Sequence, residues 1–190
     1  MFEAQEGGTD PARVSEAAHL AAQALVSRGR GSQDPAVRER LVRLTDEQGL
    51  EGITEMWSEA PEVSLPGALW RLYALRASAR TDPDRMSRWF TAGRYTAQVP
   101  NVVAGVADPP GAQEICDVAD TILSGAFEGE FDVALERFAA FARVVAAGQE
   151  HTLDVPGLSV RDPWKRIPRL LRTAEALEAA AQAWRAGSLE

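Results

Sequence analysis

Five Asp-Pro pairs, at residues 10–11, 34–35, 82–83, 108–109 and 162–163, constrain this chain more than any other feature of its sequence. An Asp carboxylate accepts hydrogen bonds from the free N–H groups of a helix's first turn. Proline suits the first helical position, because it has no N–H to leave unsatisfied there. A helical pattern follows each pair. The pairs therefore predict five helix starts, and these account for five of the eleven prolines.

Apolar residues at helical spacing also mark segments between the pairs, and no five-residue stretch alternates as a strand would. The 33 alanines favour closely packed helices, because Ala adds no side-chain entropy cost. Glycines at 29, 31, 125 and 148 are predicted to end helices. We predict an all-α fold, a single-domain bundle of seven or eight helices over 10–187. Residues 1–9 are predicted to be a disordered tail, and 188–190 are interpreted as a cloning remnant.

The bulk charge argues against several partners. The formal net charge is −8 with a pI near 4.9, whereas binding to phosphate backbones needs clustered Lys and Arg. The one cysteine, Cys116, cannot form an intramolecular disulfide, which fits a reducing compartment. The acidic first residues and the lack of a long apolar run predict neither a secretory signal nor a membrane span. We expect a cytoplasmic protein with no membrane partner. Nucleic acid is a disfavoured partner.

Residues with catalytic chemistry do not form a recognisable constellation. His19 and His151 are expected at the surface, and Cys116 beside Asp117 is expected to be a thiol at the edge of the core. The trio Glu114, Asp117 and Asp120 fits a solvated helix face better than a metal site. Neither a phosphate-binding glycine loop nor a nucleophile elbow is present. We predict no catalytic, metal or cofactor-binding residues, although carboxylates from separate helices could still converge.

Aromatic residues are concentrated between positions 57 and 95. Clusters of this kind line ligand cavities between helices, but at helical spacing they are more often core. Two alternatives stay open, a packed core or a pocket in which arginines orient an anionic ligand. The candidate pocket residues are Trp57, Trp70, Tyr73, Trp89 and Arg71, and Arg76, Arg88 and Arg94 are further candidate cations.

Two charged stripes suggest a second kind of site. Acidic residues recur every four positions at Glu47, Glu51, Glu55 and Glu59, although like charges at this spacing repel. Lys165, Arg169 and Arg172 form a basic stripe on the last helix. The stripes are either two ordinary solvated faces or complementary surfaces that meet within the chain or between copies. Nucleic acid is the least favoured partner of the basic stripe, because no aromatic side chain is interleaved for base stacking.

Three segments resemble an uncharacterised family of small helical proteins from actinobacteria. They are LPGALWRLY at 65–73, VAGVADPPG at 103–111, and GAFEG at 125–129, which leads into ALER at 134–137. The likeness covers roughly residues 64–148. It implies a helical fold and no particular activity, so it assigns no role to any residue.

These observations favour a non-enzymatic interaction or adaptor protein, whose partner is another protein or a second copy of itself. The alternative is a regulatory domain that binds a small molecule in an aromatic pocket between helices. A cavity among the central aromatic residues would favour the alternative, and tightly packed side chains would favour the first interpretation.

Overall fold

The structure is a computed structural model that describes residues 10–97 and 110–190, apart from the side chains of 47 and 48. These ranges contain eight α-helices and no strand, so the predicted all-α fold is confirmed. The predicted tail at 1–9 and the Asp108-Pro109 pair lie outside the described residues. The helices are α1 (Pro11–Gly31), α2 (Pro35–Val42), α3 (Leu44–Trp57), α4 (Leu65–Thr81), α5 (Pro83–Gly93), α6 (Ala112–Glu128), α7 (Phe131–His151) and α8 (Pro163–Arg185).

The four Asp-Pro pairs in the described residues begin helices as predicted, with one difference in chemistry. The side chains of Asp10, Asp34 and Asp82 accept hydrogen bonds from the backbone N–H groups of their first turns. Asp162 also precedes its helix but makes no such bond, and its φ of 49° places it in the left-handed region. The first turn of α8 therefore begins without a side-chain cap.

Several helices run past the glycines predicted to end them. α1 passes Gly29 and ends at Gly31, the second of its two predicted stops, whereas α6 passes Gly125 and α7 passes Gly148 to end at His151. Gly29 lies against Phe127 and Gly148 against Trp89, where close packing outweighs the modest helical penalty of glycine, while Gly125 has open space around it. As a result, α7 is one turn longer than predicted, and its last turn carries Gln149.

The core is centred on α7, which packs against α4, α5, α6 and α8. Large aromatic side chains fill it, and alanines with no exposed surface let α7 and α8 approach closely. The fully buried aromatic residues are Trp57, Tyr73, Phe127, Phe131, Phe138 and Phe141. The predicted thin alanine faces are therefore present, for example at Ala139, Ala142, Ala174 and Ala181.

A close crossing of α5 and α7 fixes one wall of the candidate site. A methyl group on Gly93 would overlap the carbonyl oxygen of Val144, and one on Gly148 would overlap that of Trp89. Only glycine allows the two backbones to approach this closely. The crossing holds Trp89 and Gln149, neighbours of these contacts, in fixed positions.

The last residues pack on the domain. The backbone N–H of Leu65 donates to the carbonyl oxygen of Glu190 at 2.8 Å, and Leu189 packs against the core. The segment interpreted as a cloning remnant thus makes contacts with the first residue of α4.

None of the helices in 10–97 and 110–190 combines the length and apolarity needed to cross a membrane.

Candidate ligand cleft and charged surfaces

The predicted aromatic cluster divides into core residues and residues that line a cleft. Trp57 and Tyr73 belong to the core, which is the first of the two alternatives left open by the sequence, and they do not line the cleft. The Trp57 Nε1 donates to the carbonyl oxygen of Ala18 at 3.1 Å, and the Tyr73 hydroxyl donates to that of Leu41 at 2.6 Å. Burial raises the pKa of Tyr73, which keeps the phenol protonated. Both side chains join helices and have no free polar group for a ligand.

Trp70, Arg71 and Trp89 line a cleft of about 650 Å³. Its walls come from α4, α5, α7 and α8, with Ser58 and Glu62 at one end. The volume lies within the range of roughly 300–1,000 Å³ that is typical of small-molecule sites. The apolar part of the lining consists of Ala74, Leu75, Met86, Phe141, Ala142, Val145 and Leu170.

The cleft is basic although the chain is acidic. Five arginines and only two carboxylates line it, and both carboxylates already have partners. Glu62 accepts from Arg71 at 2.9 Å, and Asp82 lies 3.2 Å from Arg85. The remaining three guanidinium groups, on Arg166, Arg169 and Arg172, have no carboxylate within 4.0 Å among the described residues. The cleft therefore carries a local excess of positive charge.

One buried polar atom among the cleft residues lacks any partner. Gln149 is only 6% exposed, and its Oε1 has no hydrogen-bond donor. The Nε of Arg85 also makes no aligned hydrogen bond, but it lies 3.2 Å from a carboxylate oxygen of Asp82 and so has a charged partner. Because buried polar groups are normally satisfied, the Oε1 of Gln149 marks a place beside the cleft where a donor group would fit.

The indole of Trp70 is the most available aromatic surface in the cleft. Arg85 covers the ring of Trp89 at 4.9 Å from its centroid, and the Trp89 Nε1 donates to the carbonyl oxygen of Leu158. Trp70 is half-buried, and among the described residues its ring has no stacking partner and its Nε1 no acceptor. It can therefore offer both a ring face and an N–H donor to a ligand.

The other predicted pocket cations, Arg76, Arg88 and Arg94, do not line the cleft. Arg76 is 1% exposed and lies in a closed site between α3, α4 and α6. It donates to both oxygens of Asp46, at 2.8 and 2.9 Å, and through Nε to Asp120 at 2.6 Å. Burial by itself would lower the pKa of Arg76, but the hydrogen bonds to Asp46 and Asp120 outweigh it and raise the pKa. We call this arrangement the Arg76 site.

The Arg76 site also corrects the interpretation of the acidic trio on α6. Asp120 does not belong to a solvated face, because it is two-thirds buried and accepts from both Arg76 and Arg80. Asp117 accepts from Gln113 on its own helix. No group of three His, Cys, Asp or Glu side chains in the described ranges is arranged to hold a metal ion.

The two charged stripes remain at the surface without partners in the described chain. Glu51, Glu55 and Glu59 are exposed along α3 and just after it, and Lys165, Arg169 and Arg172 are exposed along α8, with no ion pair joining the two sets among the described residues. The acidic stripe is shorter than predicted, because Gly49, with a φ of 73°, kinks α3. That kink separates position 47 from the rest, and the side chain of Glu47 lies outside the described residues.

The remaining candidate residues are the cysteine and the two histidines. Cys116 is buried as expected, and burial raises the pKa of its thiol, which disfavours the nucleophilic thiolate. His151 is exposed as expected. The prediction for His19 is only partly right, because the side chain is half-buried and its Nε2 has no partner.

The sequence interpretation missed the polar residues of the cleft, chiefly Gln149, Arg85 and Arg166. One signal was available for Gln149, which continues the apolar face of α7 through Phe138, Phe141 and Val145. A polar residue at such a position is either paired or placed for a ligand. The predicted end of the helix at Gly148 concealed that pattern.

No protein-family model, curated protein or solved structure matches this chain. The resemblance of residues 64–148 to an actinobacterial family therefore stays a prediction.

Proposed function

We propose that the protein binds an anionic small organic molecule in the cleft between α4, α5, α7 and α8. The observation that carries this proposal is the combination of arginines without a carboxylate partner and an unsatisfied buried acceptor, the Oε1 of Gln149, at one cleft of ligand size. An anion would neutralise Arg166, Arg169 and Arg172, and a donor group on the same molecule would satisfy the Oε1 of Gln149. The apolar lining would cover the rest of the molecule.

A binding role fits this chemistry better than catalysis. The residues that line the cleft include no His, Cys or Lys, and its two carboxylates are engaged by Arg71 and Arg85. A general base or nucleophile needs a group that is free to take or give a proton. The cleft instead offers hydrogen-bond donors, which hold an anion without transforming it. This favours the regulatory, ligand-binding interpretation of the sequence over the adaptor interpretation.

A thermal-shift screen with anionic metabolites tests the proposal, followed by calorimetry on the hits. A ligand present at about 100 times its Kd should stabilise the fold by about 2.7 kcal/mol. In a chain of this size, that corresponds to a midpoint increase of about 5–10 °C. The double variant Arg166→Ala/Arg169→Ala should lose the shift. Arg28→Ala/Arg88→Ala removes two exposed arginines outside the cleft and should retain it.

The proposal fails if no anion in the screen shifts the midpoint, or if both double variants respond like the natural sequence. Arg166 and Arg169 are exposed, so their replacement should leave the fold intact. The unliganded midpoints of the two variants verify this directly.

Self-association through the charged stripes is a second candidate function, favoured by their lack of partners in the described chain. Lys165 stands beside Trp164, which is 82% exposed, and Met56, 44% exposed, lies within the acidic stripe. Each stripe thus combines charge with an exposed apolar side chain, a composition suited to an interface.

Sedimentation velocity in low salt tests this second function. The natural sequence should sediment as a dimer or larger species, and Glu51→Lys/Glu55→Lys should shift it towards the 20.5 kDa monomer. Raising the salt should have the same effect, because exposed charges are screened. A monomer under every condition would exclude the stripes as a self-association surface.

A further inference from the structure

We infer that the ligand of the cleft is a nucleotide-like polyanion, with a flat aromatic ring, hydroxyl groups and two or more negative charges. This inference rests on the proposed function and adds the chemical class of the ligand. Three separate features of the cleft carry it: the number and spacing of its arginines, the unpaired acceptor of Gln149, and the half-buried indole of Trp70.

The arginines indicate more than one negative charge on the ligand. Five guanidinium groups against two carboxylates leave an excess of three positive charges in the lining. Arg166, Arg169 and Arg172 follow one another at intervals of three along α8, so their backbone positions span about 9 Å. A single carboxylate could reach only part of this row. A chain of phosphates, which guanidinium groups bind well, could run along it.

Gln149 indicates a hydroxyl or amine on the same ligand. Its Oε1 is a buried acceptor without a partner, and a ligand with anionic oxygens alone would leave it unsatisfied. If the amide is turned over, its NH₂ donates to an anionic oxygen, and the Oε1 then still requires a donor. A ligand with only acceptor atoms therefore fits the site less well than one with hydroxyl groups, such as those of a ribose.

Trp70 indicates a flat ring. The ring of Trp89 is occupied by Arg85, whereas the ring of Trp70, which packs against the core with part of its surface, has no aromatic or cationic partner, and its Nε1 has no acceptor, among the described residues. Stacking of a base on an aromatic side chain stabilises binding and tolerates any base, because every base presents a π-face. Arg71, the next residue in the chain, also lines the cleft and can approach phosphate or ring.

Calorimetric titration with adenosine, AMP, ADP and ATP, in chelator and low salt, tests the inference. These four probes share a ring and a ribose and differ only in the number of phosphates. We expect no measurable binding of adenosine and an affinity that rises with each phosphate, by about tenfold in total from AMP to ATP. Raising the salt from about 50 to 300 mM should weaken the binding of ATP more than that of AMP, because ATP releases more bound counterions.

Two variants with matched controls assign the contacts. Arg169→Ala should weaken the affinity for ATP about tenfold, and Arg88→Ala, outside the cleft, should leave it unchanged. Trp70→Ala should weaken ATP by a similar factor, and Trp164→Ala, which removes the most exposed tryptophan, should leave the affinity unchanged. A circular dichroism melt of each variant identifies any loss of fold.

Titration with inorganic tripolyphosphate separates the contribution of the phosphates from that of the ring and ribose. If it binds as tightly as ATP, the ring and ribose have no role and the inference is overturned. The inference is also overturned, while the proposed function stands, if the nucleotides do not bind but another anion does so in a manner that depends on Arg166 and Arg169. Failure of every anion would overturn both.

Discussion

The chain places arginine in two opposite electrostatic settings. At the Arg76 site, one buried guanidinium donates to two carboxylates, one each from α3 and α6, and each of its three nitrogens has a partner. In the cleft, Arg71 and Arg85 each have one carboxylate, and three further arginines have none in the described residues. The first setting joins three helices and closes on itself. The second stays incomplete until a molecule enters it.

This difference separates arginines that support the fold from arginines available for binding. Desolvating a guanidinium is costly, so a chain that buries one surrounds it with acids from several elements. A row of partly exposed arginines costs little while water solvates it, and it keeps its charge for a ligand. Replacement of an arginine should therefore affect mainly stability at the Arg76 site and mainly affinity in the cleft.

The largest expected effect comes from breaking the Arg76 site. Arg76→Met should destabilise the fold by about 3 kcal/mol, because it leaves Asp46 and Asp120 near each other without their shared cation. Urea unfolding measures the change, with Arg169→Ala as the control from the cleft. The control should lie within about 0.5 kcal/mol of the natural sequence. Equal losses in both variants would remove the distinction between the two settings.

The sequence predicted the local features of the fold well. It did not predict which arginines are paired with carboxylates and which remain available for binding. Asp10, Asp34 and Asp82 cap helices through contacts only two or three residues away, so a local motif suffices to predict them. Arg76 follows Leu69, Leu72 and Tyr73 on the buried face of α4, which indicates burial but not a partner. Its partners Asp46 and Asp120 are 30 and 44 residues away in the chain. Spacing along one helix contains no information about such distances.

The same limit applies to the candidate site. Trp57, Trp70, Tyr73 and Trp89 all have helical spacing, yet two are core and two line the cleft. Spacing identifies the face of a helix on which a side chain lies. Whether a neighbouring helix covers that face fully depends on how α4, α5, α7 and α8 cross, and this follows from close contacts such as the one at Gly148.

A second prediction changes the shape of the cleft without changing its charge. Gly148→Ala should destabilise the fold by about 2 kcal/mol, because the added methyl group forces α7 away from the backbone of α5 at Trp89. It should also weaken ligand binding, since Trp89 and Gln149 move apart. Gly125→Ala is the matched control, in the interior of α6 with open space around it. That change should be neutral or stabilise by up to about 1 kcal/mol in the same urea titration.

A third prediction uses pH to test the closed setting. The hydrogen bond from Arg76 lowers the pKa of Asp46 from its ordinary value of 3.8. A folded-state pKa below the unfolded one adds stability above the ordinary value, and this stability is lost as the pH falls through the folded-state pKa. Asp46→Asn should therefore be less stable than the natural sequence at about pH 7, and the gap should shrink below about pH 4. Melting midpoints measured across that pH range test this prediction. A difference between Asp46→Asn and the natural sequence that stayed constant would contradict it. For the control Arg169→Ala, the difference from the natural sequence should not change with pH.

The smallest expected effect has the opposite sign and concerns Gln149. Its buried Oε1 has no partner, so Gln149→Met, of similar shape, should stabilise the unliganded protein by up to about 1 kcal/mol. This corresponds to a midpoint increase of about 2–4 °C.

The same Gln149→Met variant should bind the ligand more weakly, because a methionine side chain cannot replace the hydrogen bonds of the amide. Arg76→Met, which introduces the same residue where each guanidinium nitrogen has a partner, should instead lower the midpoint. A Gln149→Met midpoint below that of the natural sequence would show that the amide is already satisfied without ligand, and the cleft would then resemble the Arg76 site. The two methionine variants thus test whether an unsatisfied polar group in this chain is kept for binding at the expense of stability.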